Sequence, residues 1–252
     1  MFRIILCVLL SFSCFAENKA YEIAKKVEKA NEGFKGETAE MEMILINGSN
    51  KITRTMTSKV LEVGEDETRT LLEFLLPLDV KGTKLLTWSY DEKDDSQWIY
   101  MPAFNKIKRI SSSSVSSSFM GSEFTFEDLR TNSAEKYTYT FIKEEKSGDD
   151  LIWIYERKSK KKSGYSKQIV HVSQKYMNAI ATKYFDRAGQ LVKEATISDF
   201  KKMDYKGKTF FRAGKIEMVN QQTKKSSILN WKDRKIGVDL STRAFSKKAL
   251  KQ

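Results

Sequence analysis

Few residues in this chain could do chemistry, and they form no recognisable catalytic motif. His171 is the only histidine, and Cys7 and Cys14 are the only cysteines among 252 residues. Histidine-rich and cysteine-rich metal sites are therefore excluded. The sequence also has no Gly-x-Ser-x-Gly elbow, phosphate-binding glycine loop or dinucleotide fingerprint. We expect no catalytic residue, no metal and no cofactor.

Pairs of adjacent carboxylates are the remaining candidates for acid–base catalysis. Glu144-Glu145 and Asp149-Asp150 flank a predicted turn, where both pairs should be solvated. Glu127 and Asp128 could act as acid and base in a cleft, although adjacent residues on a strand point in opposite directions. The main interpretation is a protein that is not an enzyme. An exported hydrolase acting on lipids is the alternative.

A second informative feature is an apolar segment that directly follows a serine run. The run Ser111–Ser118 cannot pack a core and predicts a mobile loop. The segment Phe119–Leu129 then crowds large apolar side chains around Gly121 and three carboxylates. A hinge followed by an apolar plug suits the lid of an apolar cavity. A surface loop that returns to an ordinary core is the alternative.

The N-terminus has the pattern of a secretory signal peptide. Arg3 precedes the apolar run Ile4–Leu10, and Cys14-Phe15-Ala16 forms a cleavage site. The run is too short to span a bilayer. These features predict a signal peptide over residues 1–16, export to the periplasm and a single mature domain of residues 17–252 without cysteine. Lipid attachment at Cys14 is an alternative.

Charge is distributed unevenly along the chain. Residues 157–252 carry 25 Lys and Arg against 7 Asp and Glu, whereas residues 1–156 carry 20 against 26. In an exported protein, such a basic half favours an anionic membrane surface or an acidic partner protein over nucleic acid. A lysine-rich face that only aids solubility is the alternative.

The periodicity of the chain indicates a mainly β protein of the α+β type. An amphipathic helix is predicted over Lys19–Glu32, and Gly33 should end it. Alternating runs and turn signals then predict about eleven antiparallel strands, which suits a sheet that curls into a barrel or half-barrel. Further helices are predicted near 121–129 and, with basic character, over Thr242–Lys251.

The first half of the chain is rich in methionine and aromatic residues that alternate along predicted strands. Methionine adapts to irregular space, so a sheet face built in this way suits a cavity for acyl chains, and it equally suits a plain core. The candidate cavity and lid residues are Met41, Met43, Met56, Leu72, Phe74, Leu86, Trp88, Trp98, Tyr100, Phe104, Phe119, Met120, Phe124 and Phe126.

Several of these residues belong to four longer stretches: Leu76-Pro77-Leu78-Asp79-Val80-Lys81-Gly82-Thr83, Trp98-Ile99-Tyr100-Met101-Pro102-Ala103, Lys108-Arg109-Ile110 and Phe119-Met120-Gly121-Ser122-Glu123-Phe124-Thr125-Phe126-Glu127-Asp128-Leu129. Taken in this order, the stretches resemble a known family, the LolA-like and LolB-like outer-membrane lipoprotein-sorting proteins. Glu123 stands where the family usually has Asp. The serine run replaces a loop that often carries basic residues, which argues against phosphate binding by this loop itself.

The resemblance implies a fold, a ligand and a partner. The implied fold is a half-open antiparallel β-barrel with covering helices. Its apolar interior would bind a lipid or the acyl chains of a lipoprotein in the periplasm. The resemblance also implies an inner-membrane transporter of the resistance-nodulation type as a partner. The concave side of the sheet is then expected to be partly empty.

Two hypotheses follow for the lid. Phe119 and Met120 would plug or line the mouth of the cavity. Arg109 would latch the lid by contacting Glu123, Glu127 or Asp128, unless it forms only a surface ion pair.

A membrane-embedded barrel is excluded because the predicted strands carry Lys and Glu on both faces. A nucleic-acid binder fits the basic half but not the export signal. A non-catalytic surface or structural protein is the other alternative to a carrier.

Overall fold

The computed structural model describes the backbone of residues 4–252 and the side chains of residues 18–252. The predicted signal peptide, residues 1–16, therefore lies outside the residues whose side chains are described, and so does Cys14. Both interpretations stay predictions. No helix within the described residues is long and apolar enough to cross a membrane.

One α-helix and fifteen strands are present in the described part of the chain. The helix is α1 (Ile4–Asn31). The strands are β1 (Gly36–Asn47), β2 (Asn50–Val63), β3 (Glu67–Leu76), β4 (Lys84–Tyr90), β5 (Ser96–Met101), β6 (Lys106–Arg109), β7 (Tyr137–Ser147), β8 (Asp150–Ser159), β9 (Lys167–Ser173), β10 (Asn178–Phe185), β11 (Leu191–Ser198), β12 (Lys201–Tyr205), β13 (Lys208–Arg212), β14 (Lys215–Asn220) and β15 (Ser226–Ile236).

Thirteen of the strands form one open antiparallel sheet, and β12 and β13 form a separate hairpin. The order across the sheet is β6-β5-β4-β3-β2-β1-β15-β14-β11-β10-β9-β8-β7, so β6 and β7 are its edges. The prediction of a mainly β protein with a large antiparallel sheet is confirmed, but the predicted eleven strands are too few. Polar strands such as β12 are hard to detect in the sequence, because their lysines obscure the alternation.

Contacts between the two halves of the sheet show that it curves. Asp95, just before β5, lies 2.5 Å from Lys136, just before β7. Asp94 likewise pairs with Lys161, just after β8. The edge strands therefore face each other across a gap, and the chain from residue 110 to residue 136 connects them across it.

The two faces of the sheet are covered by different elements. Helix α1 packs Ala20, Ile23 and Ala24 against the face that carries Tyr155 and Val170. We call this the inner face. The predicted amphipathic helix is present, but it begins at Ile4 rather than at Lys19. It ends at Asn31, just before Gly33 with φ +87°.

The C-terminal residues cover the outer face instead. The predicted basic helix over Thr242–Lys251 is two 3-10 helices, Thr242–Phe245 and Lys248–Lys251. Their Phe245 and Leu250 are fully buried against the outer face of β2 to β5. The cover is therefore held by single apolar residues spaced a few positions apart, and not by the apolar stripe of a long helix.

Candidate functional site: the inner face and its plug

The centre of the inner face is covered by residues 110–129, which we call the plug. The peptide N–H of Phe119 donates to the carbonyl of Phe124 at 2.7 Å, and Ser118 pairs with Thr125, so the plug is a miniature hairpin. Met120 and Gly121, with φ of +52° and +75°, form its turn. Two consecutive positive φ values define a type I′ turn, which Gly tolerates without strain. The predicted helix near 121–129 is therefore wrong, except for one 3-10 turn, Glu127–Leu129.

The aromatic residues of the plug point into the sheet. Phe119 is 0% exposed, and its ring lies 5.7 Å from that of Phe74 and 5.6 Å from that of Phe126. The serine run also contributes to the apolar core, because Val115 within it is buried. The plug thus contributes a compact apolar wedge.

Most of the predicted cavity residues meet in one cluster beneath or within the plug. The predicted residues that the structure brings together are Met41, Met43, Met56, Leu72, Phe74, Phe119, Phe124 and Phe126, with Met120 partly buried beside them.

Four predicted residues lie on the opposite face. Leu86, Trp88, Trp98 and Tyr100 pack under the C-terminal 3-10 helices, and the Trp88 indole N–H donates to the carbonyl of Phe245 at 2.9 Å. Assigning them to the cavity was wrong. Alternation along a strand shows which residues share a face, but it does not show which of the two faces points inward. The inward positions of β4 and β5 are instead the less conspicuous neighbours Leu85, Thr87, Gln97 and Ile99.

Phe104 is not a cavity residue either. It is 66% exposed in the loop between β5 and β6. Leu78, in the adjacent loop between β3 and β4, is 78% exposed, and Leu76 and Ile52 are exposed at the same end of neighbouring strands. Leu75 is also exposed there. Five of the seven exposed large apolar residues among the described side chains therefore lie at this end of β2 to β6. We call it the apolar tip.

The space above the centre of the inner face is filled by the plug. Phe119 and Phe124 occupy the position directly over Met43, Met56 and Phe74, and all of these side chains are buried. The expectation of a partly empty concave side therefore fails at the centre of the inner face. A cleft of about 790 Å³ does open on the same face, between α1 and strands β1 to β3, where Phe34, Glu37 and Val60 line it. Anything that binds to the apolar centre of the inner face must first displace the plug.

A buried ion pair fastens the plug to the far half of the sheet. The Nζ atom of Lys193, on β11, lies 2.6 Å from Oδ2 of Asp128 and donates to the carbonyl of Glu123 at 3.0 Å. Asp128 also accepts from the Thr125 peptide N–H at 2.7 Å and from the Tyr165 hydroxyl at 3.0 Å. Burial, followed by the adjacent Asp128 carboxylate, raises the pKa of Tyr165. The phenol therefore stays a hydrogen-bond donor at any physiological pH.

The other two carboxylates of the plug have partners of their own. Glu127 accepts from the Ser163 hydroxyl at 2.8 Å and from the Gly164 peptide N–H at 2.9 Å. Glu123 accepts from the Asn220 side-chain amide at 2.8 Å. Burial raises the pKa of Glu127, and the two hydrogen bonds oppose this shift.

Arg109 does not act as the predicted latch. Its guanidinium donates to the Ser96 hydroxyl at 3.3 Å, and Arg109 is exposed on the short edge strand β6. The carboxylates that it was expected to bind turn toward the opposite half of the sheet. Arg54 and Gln97 hold the near side instead, donating to the carbonyls of Met120 at 2.5 Å and Phe126 at 2.9 Å.

The geometry does not favour acid–base catalysis by Glu127 and Asp128. Their carboxylates are engaged by different groups, Ser163 and Gly164 for one and Lys193 for the other. His171 lies on β9 between the inward-facing Val170 and Val172, so it belongs to the outer face, away from the plug. No cluster of three or more His, Cys, Asp or Glu that could hold a metal occurs among the searched residues.

The most important site residue that the sequence did not reveal is Lys193. It alternates with Ala195 and Ile197 on the inward positions of β11. A lysine on the apolar phase of a strand indicates a buried partner, since a charge is rarely buried alone. The position of Lys193 in the sequence thus signals a buried partner, but it does not identify Asp128 as that partner.

A curved open antiparallel sheet with a covered apolar inner face is the fold of the LolA superfamily. A LolA superfamily protein from Nitrosomonas europaea shares it with a TM-score of 0.70 at 18% identity, over 91% of this chain and 98% of that chain. A DUF1329 family protein from Desulfovibrio piger ATCC 29098 gives a TM-score of 0.87 at 27% identity, over 93% of this chain and 99% of that chain.

The chain is also similar to a solved structure described as an outer membrane lipoprotein-sorting protein domain from Vibrio parahaemolyticus. The TM-score is 0.89 at 38% identity, over 94% of this chain and 100% of that chain. A family model described as "Uncharacterized protein" matches residues 66–252. No curated protein matches the chain. The chain belongs to the outer-membrane lipoprotein-sorting family, as its sequence resemblance indicated.

Proposed function

We propose that this protein is a periplasmic carrier that binds the acyl chains of a lipid or lipoprotein between the inner face and the plug. The observation that carries the proposal is the position of Phe119, Phe124 and Phe126. They lie over a face made of Met41, Met43, Met56, Phe74 and Met218. Methionine and aromatic side chains can repack around a flexible chain. Membership of the lipoprotein-sorting family supports the same ligand class.

The energetics of such an exchange are close to balanced. Fully burying one phenylalanine side chain contributes about 1.5–3 kcal/mol, so the three plug rings contribute roughly 5–9 kcal/mol. An acyl chain that buries about ten methylenes contributes about 8 kcal/mol. An acyl chain can therefore offset the apolar burial that the plug loses. Separating Lys193 from Asp128 adds a cost that favours the closed plug and so favours expulsion of the chain. This property suits a carrier that must release its cargo.

A carrier must also meet a membrane, and the apolar tip is the surface that suits this contact. Leu78 and Phe104 are the most exposed of its apolar residues, and Lys51, Lys81 and Lys106 are exposed beside them in the sequence or in the neighbouring strand. Apolar side chains ringed by lysines favour the interface of an anionic bilayer. The membrane contact that we propose is therefore this tip rather than the basic C-terminal half of the chain. The family resemblance makes an inner-membrane transporter the candidate donor of the cargo.

The test is to lock the plug and measure loading. The Glu123 peptide N–H donates to the Ser227 hydroxyl at 3.0 Å, so the Glu123 backbone lies beside the Ser227 side chain. In a chain with Cys7→Ser and Cys14→Ser, the pair Glu123→Cys and Ser227→Cys should form a disulfide that fixes the plug to β15. Binding of a fluorescent fatty acid is then measured in the oxidised and the reduced protein.

We expect the oxidised protein to bind the fatty acid weakly and the reduced protein to bind it as the Cys-free parent does. The parent, treated with the same oxidant and reductant, is the control. Equal binding by the locked and unlocked forms would show that the ligand does not enter beneath the plug. Absence of binding in the parent itself would reject the carrier.

A further inference from the structure

A cleft of about 550 Å³ opens at the gap between the two edges of the sheet. Its walls come from five separate segments: the β4–β5 turn, the end of β6, the plug, the residues before β7 and the β8–β9 loop. The lining residues that matter for its charge are Lys93, Arg109, Arg130, Lys136, Lys161 and Lys162 on the positive side, and Asp94, Asp95 and Glu127 on the negative side.

The three carboxylates are already occupied. Asp94 pairs with Lys161, and Asp95 pairs with Lys136 at 2.5 Å and Arg130 at 3.8 Å. Glu127 is bound by the β8–β9 loop, as described above. Positive charge is therefore left over in the cleft.

The surplus cations are Arg109, Lys162 and Lys93. No carboxylate of the described residues lies within ion-pair distance of any of them. Behind the cleft wall, the guanidinium of Arg157 stacks 4.4 Å from the ring of Tyr137, which lines the cleft. Arg157 donates to Gln168 at 2.7 Å and forms no ion pair with a described carboxylate. It adds a further positive charge to a site with walls of low dielectric, where the field on an anion is strengthened.

The floor of the cleft connects it to the inner face. Ile110 and Val115 line the cleft, and both are buried plug residues that belong to the apolar cluster on the inner face. The serine hydroxyls of Ser111 and Ser112 lie at the same wall. One amphiphilic molecule could therefore place its polar end among cations and its acyl chain among the apolar residues behind them.

We propose that this cleft binds the anionic head of the carried amphiphile, a phosphate ester or a group of equivalent charge. The inference rests on the proposed carrier function and adds a selectivity to it. Arg109 is the principal ligand, because a guanidinium can bind two phosphate oxygens at once. Lys162 contributes from the opposite wall. Arg109, which does not hold the plug, thus has a role in ligand selection.

The experiment compares three probes on the full chain: dodecyl phosphate and dodecyl maltoside, each below its critical micelle concentration, and inorganic phosphate. The cleft variant is Arg109→Gln with Lys162→Gln. The control variant is Lys202→Gln with Lys248→Gln, which removes the same charge from exposed positions outside the cleft. Affinities are measured by calorimetry at one fixed salt concentration, since screening weakens exposed charges.

We expect the parent to bind dodecyl phosphate more tightly than dodecyl maltoside. The cleft variant should lose about tenfold in affinity for dodecyl phosphate, the size of losing charge-assisted hydrogen bonds, and keep its affinity for the maltoside. The control variant should match the parent for both. Equal affinity of the parent for the two detergents, or an equal loss for both in the cleft variant, would overturn the head-group site and leave the carrier intact.

Binding of inorganic phosphate distinguishes a failure of the carrier proposal from a failure of the head-group site. Tight phosphate binding that the cleft variant loses, with neither detergent bound by the parent, would reject the carrier and identify a site for a free anion. Phosphate binding as tight as that of dodecyl phosphate would likewise overturn the link between head and chain. Weak phosphate binding that is lost in the cleft variant supports one site with two parts.

Discussion

Lys193 Nζ and Asp128 Oδ2 lie 2.6 Å apart with side-chain exposures of only 4% and 3%. Lys193 belongs to the sheet and Asp128 to the plug, so this ion pair joins the two parts that must separate if a ligand is to enter. Two charges buried together lose much of their hydration, and their attraction offsets that loss only while both are present. The pair therefore holds the plug on the sheet, and removing one partner should lower the stability of the protein.

Replacing Lys193 should destabilise the protein by removing one partner of this pair. We expect Lys193→Met to lower the free energy of unfolding by about 3 kcal/mol, because Asp128 is left as an uncompensated buried charge. Urea denaturation measures the change. The control is Lys175→Met, which removes an exposed pair with Asp149 and should leave the free energy of unfolding nearly unchanged. Similar losses in the two variants would show that the Lys193 pair is not special.

Truncating Phe119 should show how much the plug contributes to stability. Phe119→Ala leaves a cavity between the plug and Phe74, and we expect a loss of about 3–4 kcal/mol in urea denaturation. Phe104→Ala removes the same side chain from an exposed site and should cost under about 0.5 kcal/mol. A loss in Phe119→Ala as small as that in the control would mean that the plug is already displaced in solution.

Acidification should strengthen the closed plug through Glu127. Burial raises the pKa of Glu127 above its ordinary value of 4.5, so the folded protein binds this proton more tightly than the unfolded chain. Stability from this group is thus fully present at low pH and is lost as the pH rises through the raised pKa. Glu127→Gln removes the ionisation. Its amide oxygen can still accept from the Gly164 peptide N–H, while its amide N–H donates to the Ser163 hydroxyl oxygen.

We therefore expect Glu127→Gln to be more stable than the parent at about pH 7 and equally stable at about pH 4, where the parent carboxyl is also neutral. Thermal unfolding across this range measures the difference between the two proteins. A variant that is less stable than the parent at neutral pH would show that hydrogen bonds to the charged carboxylate outweigh its desolvation.

Replacing the exposed residues of the apolar tip should weaken membrane binding. We expect Leu78→Ser with Phe104→Ser to reduce binding to vesicles containing phosphatidylglycerol by at least about tenfold, since each side chain buried in the interface contributes roughly 1.5–3 kcal/mol. Co-sedimentation measures the binding. The control is Ile142→Ser with Leu151→Ser, which alters exposed apolar residues on β7 and β8, away from the tip. An equal effect of both pairs would remove the tip as the docking surface.

The sequence by itself determined the class of the fold and the nature of the plug. Alternation from β1 onward specifies strands, because side chains on successive strand positions face opposite sides. Glycine at 121 permits the left-handed turn of the plug, and Phe119, Phe124 and Phe126 are too apolar to remain in water. The stretches shared with the lipoprotein-sorting family identified the family before any coordinates.

Only the tertiary structure decided which phase of each strand faces inward and which charges meet. Trp88 and Trp98 alternate as regularly as Phe74, but the C-terminal Phe245 and Leu250 cover them on the outer face. Lys193 and Asp128 are separated by 65 positions along the chain. The curvature of the sheet and the crossing of the plug bring them together. Neither the choice of face nor such a long-range pairing leaves a local pattern, because both depend on how distant elements pack.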